Sequence, residues 1–368
     1  MRICFFILNP IDFDSRAQLI CEDTLASGWE LDIIIPSGGR VTSLGNARIH
    51  CLPTSTRPVR QRRFIEYNLR AKSVAQKIKA DIFHAVDLDT LWAAIGAAES
   101  AGGKVVYESR ELYTEQYSVA NRPLVKAFWR MLEKKLIYKA DAIVTVNESI
   151  ADELVKRYNI KKPEVVMNTA RSRGEIKPVD LRQKFNLNSR FVLIFQGVLR
   201  SGQGIRRSLK AIAELPDVAV VFVGDGPYKL EIEKYITRLG IQDRIRFAGF
   251  VAPEELLNYT AGADAGLMLI EPVALNNYLA LPQKIFQYIT AATPPIVSNL
   301  PELSRVVKKD DLGLVLNNAD IKDDIKAING FLENGLGRAV KACNIAKNNY
   351  RWEVEGEKIQ NIYRGLCK

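Results

Sequence analysis

Histidine and cysteine are both scarce in this 368-residue chain, and their scarcity excludes several kinds of catalytic site. Two histidines, His50 and His84, are too few for a histidine-based metal site or for a Ser-His-Asp relay. The five cysteines are scattered and lack any CxxC spacing, which argues against a disulfide framework and against a zinc cluster. Unpaired thiols are typical of a reducing compartment, so the sequence predicts a cytoplasmic protein.

Long apolar runs are also missing. No stretch approaches the ~18–20 apolar residues that a membrane-spanning helix requires, so no such helix is predicted. Hydrophobic residues make up 47% of the chain and charged residues 26%, which is the balance of a globular protein. Because a single core stops growing near ~250–300 residues, this length predicts two domains.

The charge of the chain is strongly one-sided, with a formal net charge of +10. Such a balance is compatible with anionic substrates, with an acidic membrane surface and with nucleic acid. No nucleic-acid-binding motif accompanies it, neither the aromatic strands of an RRM nor the spacing of a zinc finger. Nucleic acid is therefore not predicted as a partner.

Short apolar runs alternate with amphipathic stretches along the whole chain, and this βαβ rhythm predicts parallel sheets covered by helices on both faces. The rhythm restarts once, after a polar and basic stretch at Ala170–Val179. The predicted strands of the first half are Ile3–Leu8, Leu31–Ile35, Ile49–Leu52, Ile82–Ala85, Lys104–Tyr107 and Ala142–Val146. Those of the second half are Phe191–Phe195, Val218–Val223, Ile245–Phe247, Ala265–Leu269 and Pro295–Val297.

The fold class that follows is α/β, with two doubly wound, Rossmann-like domains. The predicted bounds are 1–175 for the first, 176–350 for the second, and 351–368 for a final helix. Sheets of this kind bind ligands beyond the carboxyl ends of their strands. Two such sheets facing each other predict one ligand cleft between the domains.

A glycine-rich turn, Gln196–Gly204, follows a predicted strand and precedes a helix that begins near Ile205. Glycines there let backbone N–H groups approach a phosphate, and the helix N-terminus favours an anion. Arg200, Arg206 and Arg207 add positive charge. A plain turn with solvated arginines fits the pattern equally well.

A second candidate segment is Leu279–Tyr288, in which Pro282 suits the first turn of a helix. Lys284 and Gln287 then lie on one face of that helix, where a cation and an amide can hold a diphosphate and a ribose. From the residues alone, an ordinary amphipathic helix with a solvated polar pair is the simpler interpretation.

Polar residues also end two predicted strands of the first half, at His84–Asp87 and Tyr107–Glu111. Polar groups at this edge of a sheet are candidates for function. A histidine that is merely hydrogen-bonded at a strand end remains the alternative for His84.

Two basic stretches that also carry aromatic residues, Arg57–Lys79 and Arg122–Lys139, are compatible with a surface that lies on an anionic leaflet. Solvated basic faces on a globular domain explain them equally well.

Taken in order, these segments resemble glycosyltransferase family 4, the retaining GT-B enzymes also called glycosyl transferases group 1. His84–Ala94 resembles the family's "HAHDLDTLLAA", and Lys104–Glu115 resembles "VYDSHELYTE". Gln196–Gly204 resembles "QG.L...RG", and Leu281–Val297 resembles "LPNKLFEYMAAGLPVV". The resemblance covers nearly the whole chain and preserves the order of the segments.

The resemblance implies a GT-B fold, a nucleoside-diphosphate sugar held mainly by the second domain, and a glycan or lipid-linked acceptor held mainly by the first. A UDP-sugar is the favoured donor, as a substrate; no cofactor and no metal are expected. The implied donor-binding residues are Gly197, Arg200, Gln203, Gly204, Phe250, Val251, Leu279, Ala280, Leu281, Lys284 and Gln287. The implied catalytic residues are Asp87, Arg110 and His84, and the acceptor-side residues are Asp14, Arg16 and Glu111.

Several residues depart from the family pattern. Gln203 stands where a phosphate-binding arginine is usual, Gln287 where a glutamate binds the ribose, and Thr293 where a glycine is expected. Val86 and Arg110 replace histidines. Arg200 or Arg206 could substitute for the missing arginine, and Arg110 could face a phosphate or an anionic acceptor. The leading hypothesis is a sugar transferase for cell-surface polysaccharide or glycolipid; the alternatives are an inactive, partner-binding GT-B protein and, more weakly, a sugar-nucleotide epimerase.

Overall fold

The computed structural model describes residues 1–9, 11–37, 44–53, 60–171, 174–317 and 320–368. The chain forms two compact units. The first comprises Met1–Met167 together with Trp352–Lys368, and the second comprises Asn168–Arg351.

The division lies at 167/168, eight residues before the predicted boundary. Residues just after 167 belong to the second unit because of two contacts. Ala170 forms a β-bridge with Arg351, and the side-chain Nε2 of Gln283 lies 3.4 Å from the carbonyl oxygen of Thr169. Composition marks a polar stretch but does not show which unit its backbone pairs with. The second boundary, at 351/352, differs from the prediction by one residue.

A seven-stranded parallel sheet forms the centre of the first unit, in the order β3-β2-β1-β4-β5-β6-β7. Its strands are β1 (Arg2–Phe6), β2 (Glu30–Pro36), β3 (Arg48–Leu52), β4 (Ile82–Val86), β5 (Lys104–Ser109), β6 (Ala142–Thr145) and β7 (Glu164–Val165). The strand order reverses between β1 and β4. Ile3 pairs with Leu31 on one side and with Ile82 on the other.

Helices connect these strands, as parallel pairing requires. They are α1 (Ser15–Ala26), α2 (Arg60–Ala75), α3 (Leu88–Ala101), α4 (Tyr117–Ala120), α5 (Pro123–Leu136) and α6 (Glu148–Tyr158). Short 3₁₀ turns lie at Ile11–Phe13, Tyr113–Glu115 and Ile137–Lys139.

The second unit repeats this plan with six parallel strands, which lie in the order β10-β9-β8-β11-β12-β13. The strands are β8 (Phe191–Gln196), β9 (Val218–Val223), β10 (Ile245–Gly249), β11 (Ala265–Met268), β12 (Pro295–Ser298) and β13 (Leu314–Leu316). All six side chains of β9 are buried, which explains why it reads as an unbroken apolar run. Here the order reverses between β8 and β11.

The helices of the second unit follow the same alternation. They are α7 (Leu181–Phe185), α8 (Ile205–Ala213), α9 (Lys229–Leu239), α10 (Pro253–Ala261), α11 (Leu275–Tyr278), α12 (Gln283–Thr290), α13 (Pro301–Lys309), α14 (Ile321–Gly330) and α15 (Leu336–Ala346). A 3₁₀ turn lies at Gln242–Arg244, and one π-helical turn, Phe331–Gly335, joins α14 to α15.

The last helix, α16 (Trp352–Leu366), belongs to the first unit. Trp352 Nε1 donates a 2.7 Å hydrogen bond to Asp23 of α1. Both Trp352 and Tyr363 are fully buried in the same apolar cluster as β1 and α1. The chain therefore completes the core of its first unit with its last residues.

The α/β class and the Rossmann-like character of both units are confirmed, and every predicted strand is present. The sequence missed β7 and β13, which have two and three residues and are too short to show a hydrophobic period. No helix in the described part of the chain has both the length and the apolar content to cross a bilayer.

Candidate functional site

A cavity lies in the second unit, where β8 ends at the point at which the strand order reverses. Beyond β8 the chain turns through three glycines with positive φ: Gly197 at 119°, Gly202 at 82° and Gly204 at 67°. At Gly204 a Cβ would lie 1.7 Å from the carbonyl oxygen of Leu269. Only glycine allows this approach, and it places the start of α8 against the sheet.

The opposite wall is the start of α12. The sequence predicts Pro282 in the first turn of this helix. Pro282 is instead the N-cap residue, because its ψ of 151° is extended. Lys284 Nζ donates a 2.7 Å hydrogen bond to Gln203 Oε1 of the glycine turn. The ammonium group also lies 4.9 Å from the centroid of the Phe195 ring, a cation–π contact.

The cavity between these walls measures about 400 Å³. None of its lining residues is acidic, and two of them, Arg200 and Lys284, are cationic. The full lining is Gln196, Gly197, Val198, Arg200, Gln203, Leu256, Pro282, Lys284 and Gln287. This is the composition expected of a site for an anion that also has a polar and an apolar part.

Five of the predicted donor-binding residues line this cavity: Gly197, Arg200, Gln203, Lys284 and Gln287. The other six do not. Gly204 lies against the backbone of Leu269, and Leu279 and Leu281 are buried, with 9% and 4% exposure. Phe250 is 75% exposed. Val251 and Ala280, which are partly buried, are also absent from the lining.

Arg200 is the arginine of the glycine-turn segment that reaches the cavity. Arg206 instead lies 3.4 Å from Glu231 and over the rings of Tyr228 and Tyr235. Arg207 forms a two-pronged pair with the buried Asp324. The suggestion that Arg206 could replace the family's arginine is therefore wrong, because helix α8 directs its side chain elsewhere.

Lys284 is an unusual cation. Burial, together with the smaller effect of the nearby positive charge of Arg200, lowers the pKa of its ammonium group to about 7. An anion placed between Lys284 and Arg200 would favour the charged form of the lysine and raise this pKa. The pair is thus poised to gain charge when it binds an anionic group.

A chain of hydrogen bonds fixes the far side of the cavity. Gln196 Nε2 lies 2.6 Å from Gln287 Oε1, and Thr260 Oγ1 lies 2.8 Å from Gln196 Oε1. Thr293 Oγ1 donates to the carbonyl oxygen of Thr260 at 2.8 Å, which gives the departure at 293 a structural role. Leu256 also lines the cavity, but no motif surrounds it, so its place there could not be predicted from the residues near it.

In the first unit, three of the predicted residues meet at the corresponding reversal of strand order. Arg110 donates to Asp87 through Nη2 at 2.7 Å and Nε at 3.1 Å, and to Asp14 through Nη1 at 2.5 Å. Burial would lower the pKa of Arg110, but Asp87 and Asp14 outweigh it and raise that pKa. Because two carboxylates neutralise Arg110, the proposal that it faces a phosphate or an anionic acceptor is wrong.

Asp87 has a strained backbone. Its φ of 61° with a ψ of 170° belongs to a region that is nearly reserved for glycine. Its carboxylate accepts from the backbone N–H of Arg110 at 3.1 Å, in addition to the guanidinium. Next to it, Asp89 has a pKa raised to about 7 by burial and by the charge of Asp87.

His84 and Arg16 are interior residues and do not lie at the site as predicted. His84 lies within β4, is 0% exposed, stacks on Phe5 and has Nδ1 2.7 Å from the Tyr363 hydroxyl. Arg16, 2% exposed, donates to Glu108 at 2.8 Å. Burial opposes the charge of Glu108, yet Arg16 and His84 hold its pKa below the ordinary value.

Glu111, the remaining acceptor-side residue, is exposed and accepts a hydrogen bond from Gln116 at 2.6 Å. Among the residues that the structure describes, no group of three His, Cys, Asp or Glu side chains is arranged to hold a metal ion. All five cysteines are free thiols.

Known proteins with a similar sequence are glycosyltransferases. The alpha-D-kanosaminyltransferase of Streptomyces kanamyceticus is 22% identical over 248 residues, which are 64% of this chain and 63% of that protein. The chitobiosyldiphosphodolichol beta-mannosyltransferase of Candida albicans is 22% identical over 65% of this chain and 56% of its own length. The chain thus spans less than two thirds of the curated relatives that it matches.

Solved structures share the fold over the full length. Sucrose-phosphate synthase from Thermosynechococcus elongatus superimposes with a TM-score of 0.81 at 17% identity, covering 100% of this chain and 99% of that one. Anabaena HepE in complex with UDP-glucose has a TM-score of 0.75 at 17% identity, covering 99% of this chain and 100% of that one.

Two family profiles together account for most of the sequence. "Glycosyltransferase Family 4" matches residues 17–169 in the first half of the chain. "Glycosyl transferases group 1" matches residues 179–352, which include the whole cavity lining. The chain therefore belongs to the GT-B type glycosyltransferases of family 4.

Proposed function

We propose that this protein transfers a sugar from a nucleoside-diphosphate sugar, preferably a UDP-sugar, to a glycan or lipid-linked acceptor in cell-surface polysaccharide synthesis. The observation that carries the proposal is the acid-free cavity in which Arg200 and Lys284 stand beside the glycine turn after β8. Open α/β sheets bind nucleotides at this reversal of strand order. HepE, a fold relative, has been crystallised with UDP-glucose.

The donor would be held by three kinds of group. Arg200, Lys284 and the N–H groups of the glycine turn suit the diphosphate, because cations and helix N-termini attract it. Gln287 suits the ribose hydroxyls. The same two cations would stabilise the charge that develops on the leaving diphosphate, so the reaction would proceed without a metal. The family assignment favours retention of the anomeric configuration.

The acceptor would be held by the first unit. Asp87 and Asp14, oriented by Arg110, offer carboxylate oxygens that accept hydrogen bonds from sugar hydroxyls. The side chains of Asp14, Arg110 and Asp87 are 12%, 15% and 19% exposed, so they remain reachable. Because two carboxylates surround the single positive charge of Arg110, the cluster carries net negative charge. It therefore disfavours an acceptor that carries a phosphate next to its reacting hydroxyl group.

The protein would work at the cytoplasmic face of a membrane, in contact with anionic lipid. Helix α5 supports this, because Leu124, Phe128 and Met131 on one of its faces are 85%, 40% and 66% exposed. Exposed cations flank them at Arg130, Lys134 and Lys135. From the basic stretch 57–79, Arg57 and the side chains of 60 and 62 lie outside the described residues.

Donor binding tests this proposal directly. The unfolding temperature is measured with UDP-, GDP- and ADP-sugars, since a ligand at about 100 times its Kd adds about 2.7 kcal/mol to the free energy of unfolding. Turnover is measured as release of the nucleoside diphosphate in the presence of oligosaccharide and lipid-linked acceptors. Stabilisation by none of the donors would reject the transferase and leave the partner-binding protein.

The variant Gln287→Glu sharpens that decision. In a transferase the carboxylate still accepts from Gln196 Nε2 and binds ribose hydroxyls more strongly than an amide oxygen, so donor affinity is kept or gains about 1 kcal/mol. In a partner-binding protein with a degraded pocket, the restored glutamate rescues nothing. Isothermal titration of both forms against the three donors separates the outcomes.

A further inference from the structure

The side chain that we assign to the donor ribose, Gln287, is one end of a buried amide chain. Behind it lies Gln196, the last residue of β8, which is 2% exposed. Behind Gln196 lies Thr260 of α10, which is 0% exposed. The two contacts of the chain measure 2.6 Å and 2.8 Å.

Thr260, at the far end of this chain, has one hydroxyl proton and two possible acceptors for it. Thr260 Oγ1 lies 2.8 Å from the Gln196 amide and 2.7 Å from the carbonyl oxygen of Leu256. A hydroxyl donates only one hydrogen bond but also accepts. When the Thr260 proton points to Leu256, its oxygen is free to accept from Gln196.

Two complete arrangements follow, of opposite polarity. In one, Thr260 donates to Gln196, Gln196 donates to Gln287, and Gln287 turns its NH₂ group to the cavity. In the other, the Thr260 proton goes to Leu256, both amides are reversed, and Gln287 turns its carbonyl oxygen to the cavity. Oxygen and nitrogen ends of an amide occupy nearly the same space, so each contact survives the reversal.

This reversibility has a consequence for ribose. The vicinal hydroxyls of a ribose are donors and are held by an acceptor. The glutamate of the family pattern that the chain resembles would supply one at this position. The second arrangement provides one without a charge, and the buried partners keep it from rotating away.

We propose that Gln196, backed by Thr260, is a positioning residue that sets the amide polarity of Gln287 and thereby makes the site select ribose over 2′-deoxyribose. The proposal rests on the proposed function, because it requires a nucleotide in the cavity. Gln196 acts on selectivity, while Lys284 and Arg200 act on affinity for the diphosphate. The two effects are therefore separable.

The test is the ratio of dissociation constants for 2′-deoxy-UDP and UDP, measured by isothermal titration. Wild-type protein should prefer UDP about fivefold, the worth of one hydrogen bond. Gln196→Leu, which keeps bulk but bonds to nothing, should bring the ratio close to one. Thr260→Val should lower it in the same direction.

A carboxylate at 196 distinguishes polarity from simple support. Gln196→Glu, measured at a pH at which the carboxyl group is ionised, presents only acceptors, so Gln287 must donate to it and turn its oxygen to the ribose. This variant should keep the wild-type preference. Thr237→Val is the matched control, because Thr237 makes the same kind of bond to the carbonyl four residues before it on exposed α9. Lys284→Ala should weaken both ligands and leave the ratio unchanged.

Each result is decisive. A folded Gln196→Leu protein with the wild-type ratio, or a wild type with no preference between the ligands, overturns the positioning role but leaves nucleotide binding intact. Binding of neither ligand by the wild type rejects the proposed function, and the inference falls with it. If Gln196→Leu does not fold, Gln196→Glu and Thr260→Val decide: equal ratios in both overturn the proposal.

Discussion

Lys284 Nζ lies 2.7 Å from Gln203 Oε1, and this one contact joins the start of α12 to the glycine turn after β8. The two segments are 81 residues apart in sequence. The family pattern that the chain resembles has an arginine at this point, whereas this chain has a neutral acceptor, Gln203. The glutamine therefore holds the lysine in place, and the positive charge of the cavity rests on Lys284 and Arg200.

Removing the Lys284 ammonium should weaken nucleotide binding. We expect Lys284→Ala to reduce the binding free energy of a UDP-sugar by about 1.5–3 kcal/mol, the range for hydrogen bonds to charged groups. Lys210→Ala is a suitable control, because Lys210 is an exposed lysine that lines a different cavity of the same unit. An unchanged Kd for the alanine variant at 284 would place the diphosphate elsewhere.

The pH dependence of binding should report the same group. With a pKa of about 7, Lys284 is protonated below neutrality and loses its charge above it, so donor affinity should fall as pH rises from 6 to about 8.5. A nucleotide sugar is the right probe, since its diphosphate has no titrating group in this range. Lys284→Met should flatten the profile; an equally steep profile in that variant contradicts the assignment.

The sequence predicted the strands, both Rossmann-like units and half of the cavity, because these depend on local patterns. Gly197, Arg200 and Lys284 line the cavity because a turn after a strand and a helix start both lie at this edge of the sheet; their part in donor binding stays a prediction. His84 was misplaced because a strand end and a strand interior look alike until the pairing with β1 and the contact with Tyr363 are known.

Long-range contacts account for the other misses. Leu256 reaches the cavity from α10, and nothing near it in sequence marks that position. Arg200 and Arg206 look like equivalent cations in the sequence, but Arg200 lies in the turn before α8 and lines the cavity, whereas Arg206 lies on α8 and pairs with Glu231. Packing determines which side chains reach the cavity, and packing cannot be predicted from composition and spacing.

The strained backbone at Asp87 should be measurable as stability. Asp87→Ala and Asp87→Gly both remove the carboxylate that binds Arg110, but only glycine adopts a φ of 61° with a ψ of 170° without strain. We expect the glycine variant to be more stable than the alanine variant by about 1–2 kcal/mol in urea denaturation, and both to lose transfer activity. Equal stabilities would mean that the backbone relaxes at no cost.

The proposed membrane contact predicts a pattern in vesicle binding. Leu124, Phe128 and Met131 are spaced by four and three residues, so they form one apolar stripe on α5, while Trp129 and Leu136 on the same helix are buried. Co-sedimentation should rise with the fraction of anionic lipid and fall with added salt, because exposed charges at a surface are screened.

Apolar and electrostatic contributions can be separated by substitution. Leu124→Asp with Met131→Asp should reduce vesicle binding about tenfold or more, since two buried apolar side chains are lost and two negative charges are brought to an anionic surface. Leu230→Asp is the matched control, because Leu230 is 71% exposed but lies on α9 of the second unit. If the control reduces binding as much as the α5 variant, or if neutral vesicles sediment the wild type equally well, the stripe on α5 is not the membrane contact.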